Sequence, residues 1–263
     1  MADSLIGVWL GRRRYAAVEA LQRELFELRK RGQVRDVVLL LEHDPVITLG
    51  RGARPEPLLA SRELLREQGI DIVETDRGGE ITLHAPGQLV CYPIVSLAPD
   101  RCDVRRYVKD LTATMRELIA PHELSAGEMP GLVGLWVDAA SPAAWRGAEH
   151  AAAPVKIGAI GVKLSRWVSM HGFALNLSTD LSLYRLIVPC GVTAYGVCSI
   201  ASLRGAAPEP REVAPRALGL LAQRLDRSCE SLLDASAIET SELAEWIRLQ
   251  ATGFRLQTSD QSP

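Results

Sequence analysis

Cys190 and Lys156 hold the residue types in this chain best suited to chemistry. Cys190 stands in Val188-Pro189-Cys190-Gly191, a Pro/Gly-punctuated stretch that reads as a turn. Lys156 stands in Val155-Lys156-Ile157-Gly158-Ala159-Ile160-Gly161, an otherwise apolar run. A thiol attacks only as its thiolate, and a neighbouring ammonium favours that form. A desolvated lysine releases its proton more readily and serves as a base. Side by side, the two would carry an acyl group as a thioester and pass it to an amine. Spacing alone does not bring them together. A free cysteine is more often a small buried hydrophobe, and a lysine on an edge strand can keep its ammonium in water.

Two further segments could line a binding site. Arg77-Gly78-Gly79-Glu80-Ile81-Thr82-Leu83-His84 joins paired glycines to an extended stretch with Thr82 and His84 on one face. Glycines let backbone approach a ligand and leave N–H groups unobstructed, and Arg77 suits a phosphate or carboxylate. The competing reading is a β-hairpin whose turn needs Gly78-Gly79. In Met170-His171-Gly172-Phe173-Ala174-Leu175-Asn176 small residues alternate with larger ones. That pattern leaves a groove for a slender apolar ligand or serves tight strand packing. Cys91, Cys102, Cys198 and Cys229 fall inside strand or helix patterns and read as packing residues.

The elements that must position these residues follow from periodicity. Tyr15–Arg31 reads as an amphipathic helix ended by Gly32, and Val37 to Leu41 is a continuous apolar run suited to a buried strand. A short helix over Ser61–Gln68 and a strand over Ile70–Thr75 follow, then a strand over Gln88–Ser96. Asp103 can cap a helix with Val104, Tyr107, Leu111, Met115 and Leu118 inward. Strands are expected over Gly131–Asp138, Val155–Leu164 and Trp167–Asn176, with an Ala/Pro-rich loop insertion over Ala139–Pro154. Helices over Glu212–Cys229 and Ser241–Gln250 close the pattern. Several strands adjoin without a helix between them, so the expected fold is a mixed, antiparallel-rich α/β sheet flanked by helices. One domain over residues 1–250 with a polar tail over 251–263 fits 263 residues and 47% hydrophobic content.

The formal net charge of −2 gives no bulk case for nucleic acid. Arg12-Arg13-Arg14 and Arg101, Arg105 and Arg106 form two basic clusters, read either as solvated faces or as landing sites for an acidic partner. No apolar run reaches the roughly 18 residues of a membrane span. The five cysteines show no metal-ligand spacing, so no metal is expected, and free thiols in the cytoplasm are the default. The chain has no GxxxxGK[ST], GxGxxG or GxSxG motif.

Together these segments resemble the lipoate-protein ligase B family of octanoyltransferases. The likeness rests on Glu42-His43-Asp44-Pro45-Val46-Ile47-Thr48-Leu49-Gly50, on Arg77 to Thr82 with His84 and Pro86-Gly87-Gln88, and on Lys156-Ile157 with Ile160-Gly161-Val162. It continues through His171 to Asn176 and Pro189-Cys190-Gly191, in family order over roughly Gly7 to Leu203. Leu83 departs from the pattern where an aromatic residue is common, and Ala85 where glycine is common.

The resemblance implies the catalytic fold of biotin- and lipoate-protein ligases without their ATP-dependent step. It implies Cys190 as the acyl-carrying nucleophile and Lys156 as the lysine that lowers its pKa and handles protons. It places Arg77, Gly78, Gly79, Glu80, Ile81, Thr82, Leu83 and His84 on the acyl-substrate site, with Ala159, Ile160, Gly161, Gly172, Phe173 and Ala174. No cofactor is implied. The implied partners are octanoyl-acyl carrier protein and the lipoyl domains of 2-oxoacid dehydrogenase complexes and of the glycine cleavage H protein, served by a monomer. The rivals are an ATP-dependent ligase of similar fold, a non-catalytic adaptor, and a cysteine hydrolase.

Overall fold

The computed structural model describes residues 4–53, 58–147, 151–187 and 195–251, without the side chains of residues 230 and 231. The first half holds β1 (Ser4–Arg13), α1 (Tyr15–Lys30), β2 (Asp36–His43), β3 (Val46–Leu49), α2 (Arg62–Glu67), β4 (Asp71–Glu74), β5 (Ile81–His84) and β6 (Gln88–Ile94). After α3 (Val104–Ile119) come β7 (Gly127–Met129), β8 (Leu132–Asp138), β9 (Pro154–Ser165) and β10 (Val168–Asn176). The last elements are β11 (Gly196–Val197), α4 (Ile200–Arg204), α5 (Pro210–Arg224), β12 (Ser228–Asp234) and α6 (Leu243–Ala251).

The large sheet runs β12-β1-β2-β6-β10-β9-β8-β7, with β11 on β9. Its β2, β6, β10, β9, β8 and β7 pair antiparallel, while β1 pairs parallel with β2 and β12. A small sheet, β4-β3-β5, stands apart from it. This is the mixed, antiparallel-rich architecture expected from the interleaving.

The unbroken apolar run of β2 has a simple cause. Val38 and Leu40 face α3 and α5 on one side, while Val37, Leu39 and Leu41 face α1 and α6 on the other. A strand covered on both faces gains from apolar side chains at every position. Asp103 caps α3 as expected, accepting from the amides of Arg105 and Arg106, but Val104 lies exposed rather than inward. Among the described residues, no helix is long and apolar enough to cross a membrane.

Several expectations change. The apolar stretch from Leu5 to Leu10 forms β1, to which no element was assigned. The helix over Glu212–Cys229 stops at Arg224, Asp226 turns the chain at φ 56°, and Ser228 starts β12 against β1. Cys229 and Cys102 are exposed, whereas Cys91 and Cys198 are buried, which pushes the Cys198 thiol up to about 12. The basic clusters are partly structural. Arg13 spans to the carbonyls of Ala235, Ser236 and Ile238, and Arg101 is buried between Asp110 and Asp226. Arg12 pairs with Asp44 at 3.1 Å. The Ala139–Pro154 insertion closes on Asp138, whose carboxylate accepts from the amides of Ala140, Ala152 and Ala153. Residues 257–263 lie outside the described residues.

Candidate active site

Two irregularities in neighbouring strands build the site. Along β8 and β9, Leu135 pairs with Gly158 but the next residue, Trp136, pairs with Lys156, so Ile157 is an extra residue in β9. The bulge resets the alternation. Val155 and Ile157, then Ile160, Val162 and Leu164, pack into the α3–α5 core. Lys156, Ala159, Gly161 and Lys163 consequently share the opposite face.

The second irregularity centres on Pro93 of β6, which has no N–H to give to β10. There His171 adopts φ 60°, and its amide donates to Gln22 Oε1 of α1 at 3.0 Å instead of to the sheet. The Pro93 carbonyl accepts from the Ser169 hydroxyl at 2.8 Å. The strands close up at Gly172, where a Cβ would lie 2.1 Å from the Cys91 carbonyl oxygen. Across β9 and β10, Gly161 faces Gly172 and Ala159 faces Ala174. Four small residues thus pave one floor.

Over that floor lies a cavity of about 520 Å³ including its open mouth. Lys156 borders it. Its stem crosses Gly134, where a Cβ would come within 3.3 Å of Lys156 Cε. Its Nζ donates to the Val133 carbonyl at 3.2 Å and sits 4.8 Å from the Trp136 ring centre, a cation–π distance. Of the glycine-rich segment, Arg77, Gly79, Glu80, Ile81, Thr82 and His84 border the cavity. Ala159, Ile160, Gly161, Gly172, Phe173 and Ala174 border it too. Gly78 and Leu83 do not. The Gly78 amide donates to the Val162 carbonyl at 3.0 Å, and Leu83 is buried in the small-sheet core.

Gly78-Gly79 is not a hairpin turn, because β4 and β5 each pair with β3 and not with each other. It is a crossing bend with Gly79 at φ 86°. Arg77 holds that bend, donating to Thr48 Oγ1, to the Thr48 and Glu80 carbonyls and to the Gly78 carbonyl. Its guanidinium thus braces the bend while it borders the cavity.

Of the remaining lining, Val133 is apolar, and three polar residues were missed from sequence: Tyr15, Tyr92 and His171. No spacing signal links α1, β6 and β10, though His171 fell inside the small-residue segment. Three buried histidines stand here with two tyrosines. His84 Nδ1–H donates to Gln88 Oε1 at 2.7 Å, since the Gln88 amide nitrogen already donates to Asn176 Oδ1. His43 donates through Nδ1 to the Arg13 carbonyl and accepts at Nε2 from the Tyr92 hydroxyl. His171 Nε2–H donates to Asp76 at 3.1 Å. Desolvation lowers the pKa of His43 and of His171 to about 4 and pushes His84 well below its ordinary value. All three are neutral at pH 7.

Behind His171, Asp76 is bound by Lys163 and Arg23, and Glu19 by Arg23. Burial works against the Asp76 carboxylate, but bonds from Lys163 and His171 hold its pKa well below the usual range. Glu19, Asp76 and His171 bring three ligand atoms within 4.8 Å of one another. Arg23 and Lys163 already neutralise the two carboxylates, so the donor set does not suit a metal ion.

Cys190 lies outside the described residues. The chain resumes at Tyr195, whose ring meets Trp136 edge-on at 5.6 Å. Gly196 and Val197 then pair with Val155 and Lys156, and the Cys198 amide donates to the Lys156 carbonyl at 2.9 Å.

This architecture is that of a lipoate-ligase-type catalytic domain. Solved structures of a putative lipoate protein ligase from T. acidophilum with bound lipoic acid and of lipoate-protein ligase A with ATP share the fold. Their TM-scores are 0.63 and 0.62, with 14% identity in each case, over 95% of both chains and 94% of both chains respectively. In sequence, the lipoyl protein ligase A/B catalytic domain matches residues 14–221, and the chain belongs to that family. An octanoyltransferase of Myxococcus xanthus is 46% identical over 78% of this chain, which spans 55% of that longer relative. Octanoyltransferases of Chloroflexus aurantiacus and Chloroflexus aggregans are 45% and 44% identical over 82% of this chain and over 91% and 93% of their own lengths. The chain is accordingly an acyltransferase of this family.

Proposed function

We propose that the chain transfers an octanoyl group from octanoyl-acyl carrier protein, through a thioester on Cys190, to a lysine of lipoyl domains. Those domains would be the ones of 2-oxoacid dehydrogenase complexes and of the glycine cleavage H protein. The observation that carries the reading is Lys156. It is a buried lysine with its ammonium held by Val133 and Trp136, bordering a cavity floored by Ala159, Gly161, Gly172 and Ala174. The strand that follows the Cys190 segment pairs directly with it.

In the first half-reaction the Cys190 thiolate attacks the thioester carbonyl. A new C–S bond forms, the bond to the carrier's thiol breaks, and that thiolate takes a proton from Lys156. In the second, the acceptor lysine amine attacks the acyl-enzyme, an amide C–N bond forms, and Cys190 leaves as thiolate while Lys156 takes up the amine proton. Thioester exchange is near balance and amide formation is downhill, so no ATP is required. The arrangement divides one acyl transfer into two steps at a single site. Seven carbons of the tail on the apolar floor would contribute on the order of 5 kcal/mol, less ordering costs.

Intact-mass spectrometry of the protein mixed with octanoyl-acyl carrier protein, without ATP, tests this. A hydroxylamine-labile octanoyl adduct is expected on the wild type and absent from Cys190→Ala. No adduct on a folded wild type, trapped early without acceptor, would refute the covalent route and favour an adenylating ligase.

A further inference from the structure

Lys156 borders the cavity, and the tryptophan that holds it does not. Leu135 and Val137 of β8 pack into the α3–α5 core, so Gly134 and Trp136 share the opposite face with Lys156. The bulge in β9 makes Trp136 the direct cross-strand partner of Lys156. Gly134 keeps that face clear. It adopts φ 133°, and a Cβ there would lie 2.6 Å from the Gly158 carbonyl oxygen and 3.3 Å from Lys156 Cε. The lysine stem passes over this glycine, and Nζ donates to the Val133 carbonyl at 3.2 Å.

Trp136 is itself fixed. It is 3% exposed, and its indole N–H reaches back along the strand to the Leu132 carbonyl at 3.2 Å. The Tyr195 ring meets the indole at 5.6 Å with 78° between the planes. The Lys156 ammonium lies over the indole, 4.8 Å from the ring centre. A ring face attracts an ammonium through its quadrupole and offers an uncharged amine no such attraction. Indole does this best among aromatic side chains, and the attraction grows where water is excluded. The ring and the Val133 carbonyl are both uncharged, so they favour the ammonium without cancelling its charge.

We propose that Trp136 is a positioning residue for acyl transfer, its ring face holding the Lys156 ammonium at the cavity and favouring it over the free amine. This rests on the reading that Lys156 gives and takes the protons of the two half-reactions. The lysine enters the first half-reaction as the ammonium that protonates the carrier's departing thiolate. It leaves the second as the ammonium formed when it takes the acceptor amine's proton. The ring stabilises the lysine at both points. A ring with a weaker face lowers the fraction of enzyme that starts with its proton in place and weakens the pull on the proton arriving later.

The test replaces Trp136 in the full chain, by nonsense suppression, with 5-fluoro-, 5,7-difluoro- and 5,6,7-trifluorotryptophan. Fluorine draws electron density from the ring face with little change of shape, and it strengthens the indole N–H as a donor to Leu132. The value of kcat/KM for octanoyl-acyl carrier protein should fall with each fluorine, by about ten-fold at the trifluoro ring. The ratio of hexanoyl to octanoyl transfer should stay within about two-fold, because Trp136 does not border the cavity. The same series at Trp246, on α6, should be flat. An indole needed only for packing or for its bond to Leu132 gives a flat series at Trp136, and that result, with transfer intact, overturns the proposal. A chain-length ratio that moves with fluorination overturns it too, since the ring would then shape the acyl pocket. Both results leave the proposed function standing, whereas no transfer by the natural protein removes that function as well.

Discussion

Acid should unfold this protein through its buried histidines. His43 and His171 are both buried, and desolvation brings each from about 6.5 to about 4 in the folded chain. Above pH 6.5 each is neutral whether the chain is folded or not. Between pH 6.5 and 4 the unfolded chain takes up protons that the folded chain refuses, so stability falls as pH falls. Each shift corresponds to about 3 kcal/mol at 1.36 kcal/mol per pK unit. Two histidines then withdraw about 6 kcal/mol by pH 4, comparable with the 5–15 kcal/mol stability of a whole domain. His84 and Asp76 act in the same direction, His84 over the same range and Asp76 below about pH 4. Urea denaturation read at half-unit steps from pH 7.5 to 4.5 measures the slope. At pH 5 each of the two histidines should contribute about 1.2 kcal/mol per pH unit. His171→Asn, whose side chain tolerates the left-handed backbone there, should flatten the slope by about that amount. A slope under 1 kcal/mol per unit near pH 5, or a variant with undiminished slope, would refute the argument.

Two further substitutions probe the frame. Gly172→Ala drives a Cβ to 2.1 Å from the Cys91 carbonyl and 2.7 Å from Pro93 Cδ, so it should cost about 3 kcal/mol and lower Tm by roughly 6–10 °C. Gly219→Ala, on an open face of α5 with nothing within 4 Å of the new Cβ, should instead stabilise by up to about 1 kcal/mol. Arg13→Ala removes the bonds to Ala235, Ser236 and Ile238 and should loosen the C-terminal layer. Hydrogen exchange across 235–251 should accelerate roughly ten-fold or more, with little change in β9 and β10.

The sequence carried the local grammar of the fold. The apolar run of β2, the Asp103 cap and the amphipathic face of α1 each depend on residues close in the chain. What it hid depends on partners far away. The pairing of β1 with β12 joins Ser4 to Ser228, and nothing local marks Ser228–Asp234 as a strand when the preceding helix ends only a few residues earlier. The bonds that tie Arg77 to Thr48 cannot be seen from its own segment. The segments that border the cavity were legible as glycine-rich or small-residue runs. The polar wall was not, because Tyr15, Tyr92 and His171 reach it from three separate elements.

The position of Lys156 depends on a defect in regular pairing. In a strictly alternating β9, Lys156 would share a face with Gly158 and Ile160, and its ammonium would meet the α3–α5 core beside Met115. A buried, unpaired ammonium in that core would cost several kcal/mol. The extra residue at Ile157 sends the lysine to the cavity face while Ile157 fills the core. Two strands away, Pro93 removes a ladder donor, and His171 turns to place its ring against Asp76 and its amide on Gln22. Each irregularity gives up regular backbone pairing and gains a side chain directed to the one face where a polar group has a partner. Between them lies the stretch where Ala159, Gly161, Gly172 and Ala174 keep the sheet in register and leave space above it. A cavity bordered by a reactive amine and by neutral polar groups therefore follows from where the sheet is broken and where it is whole.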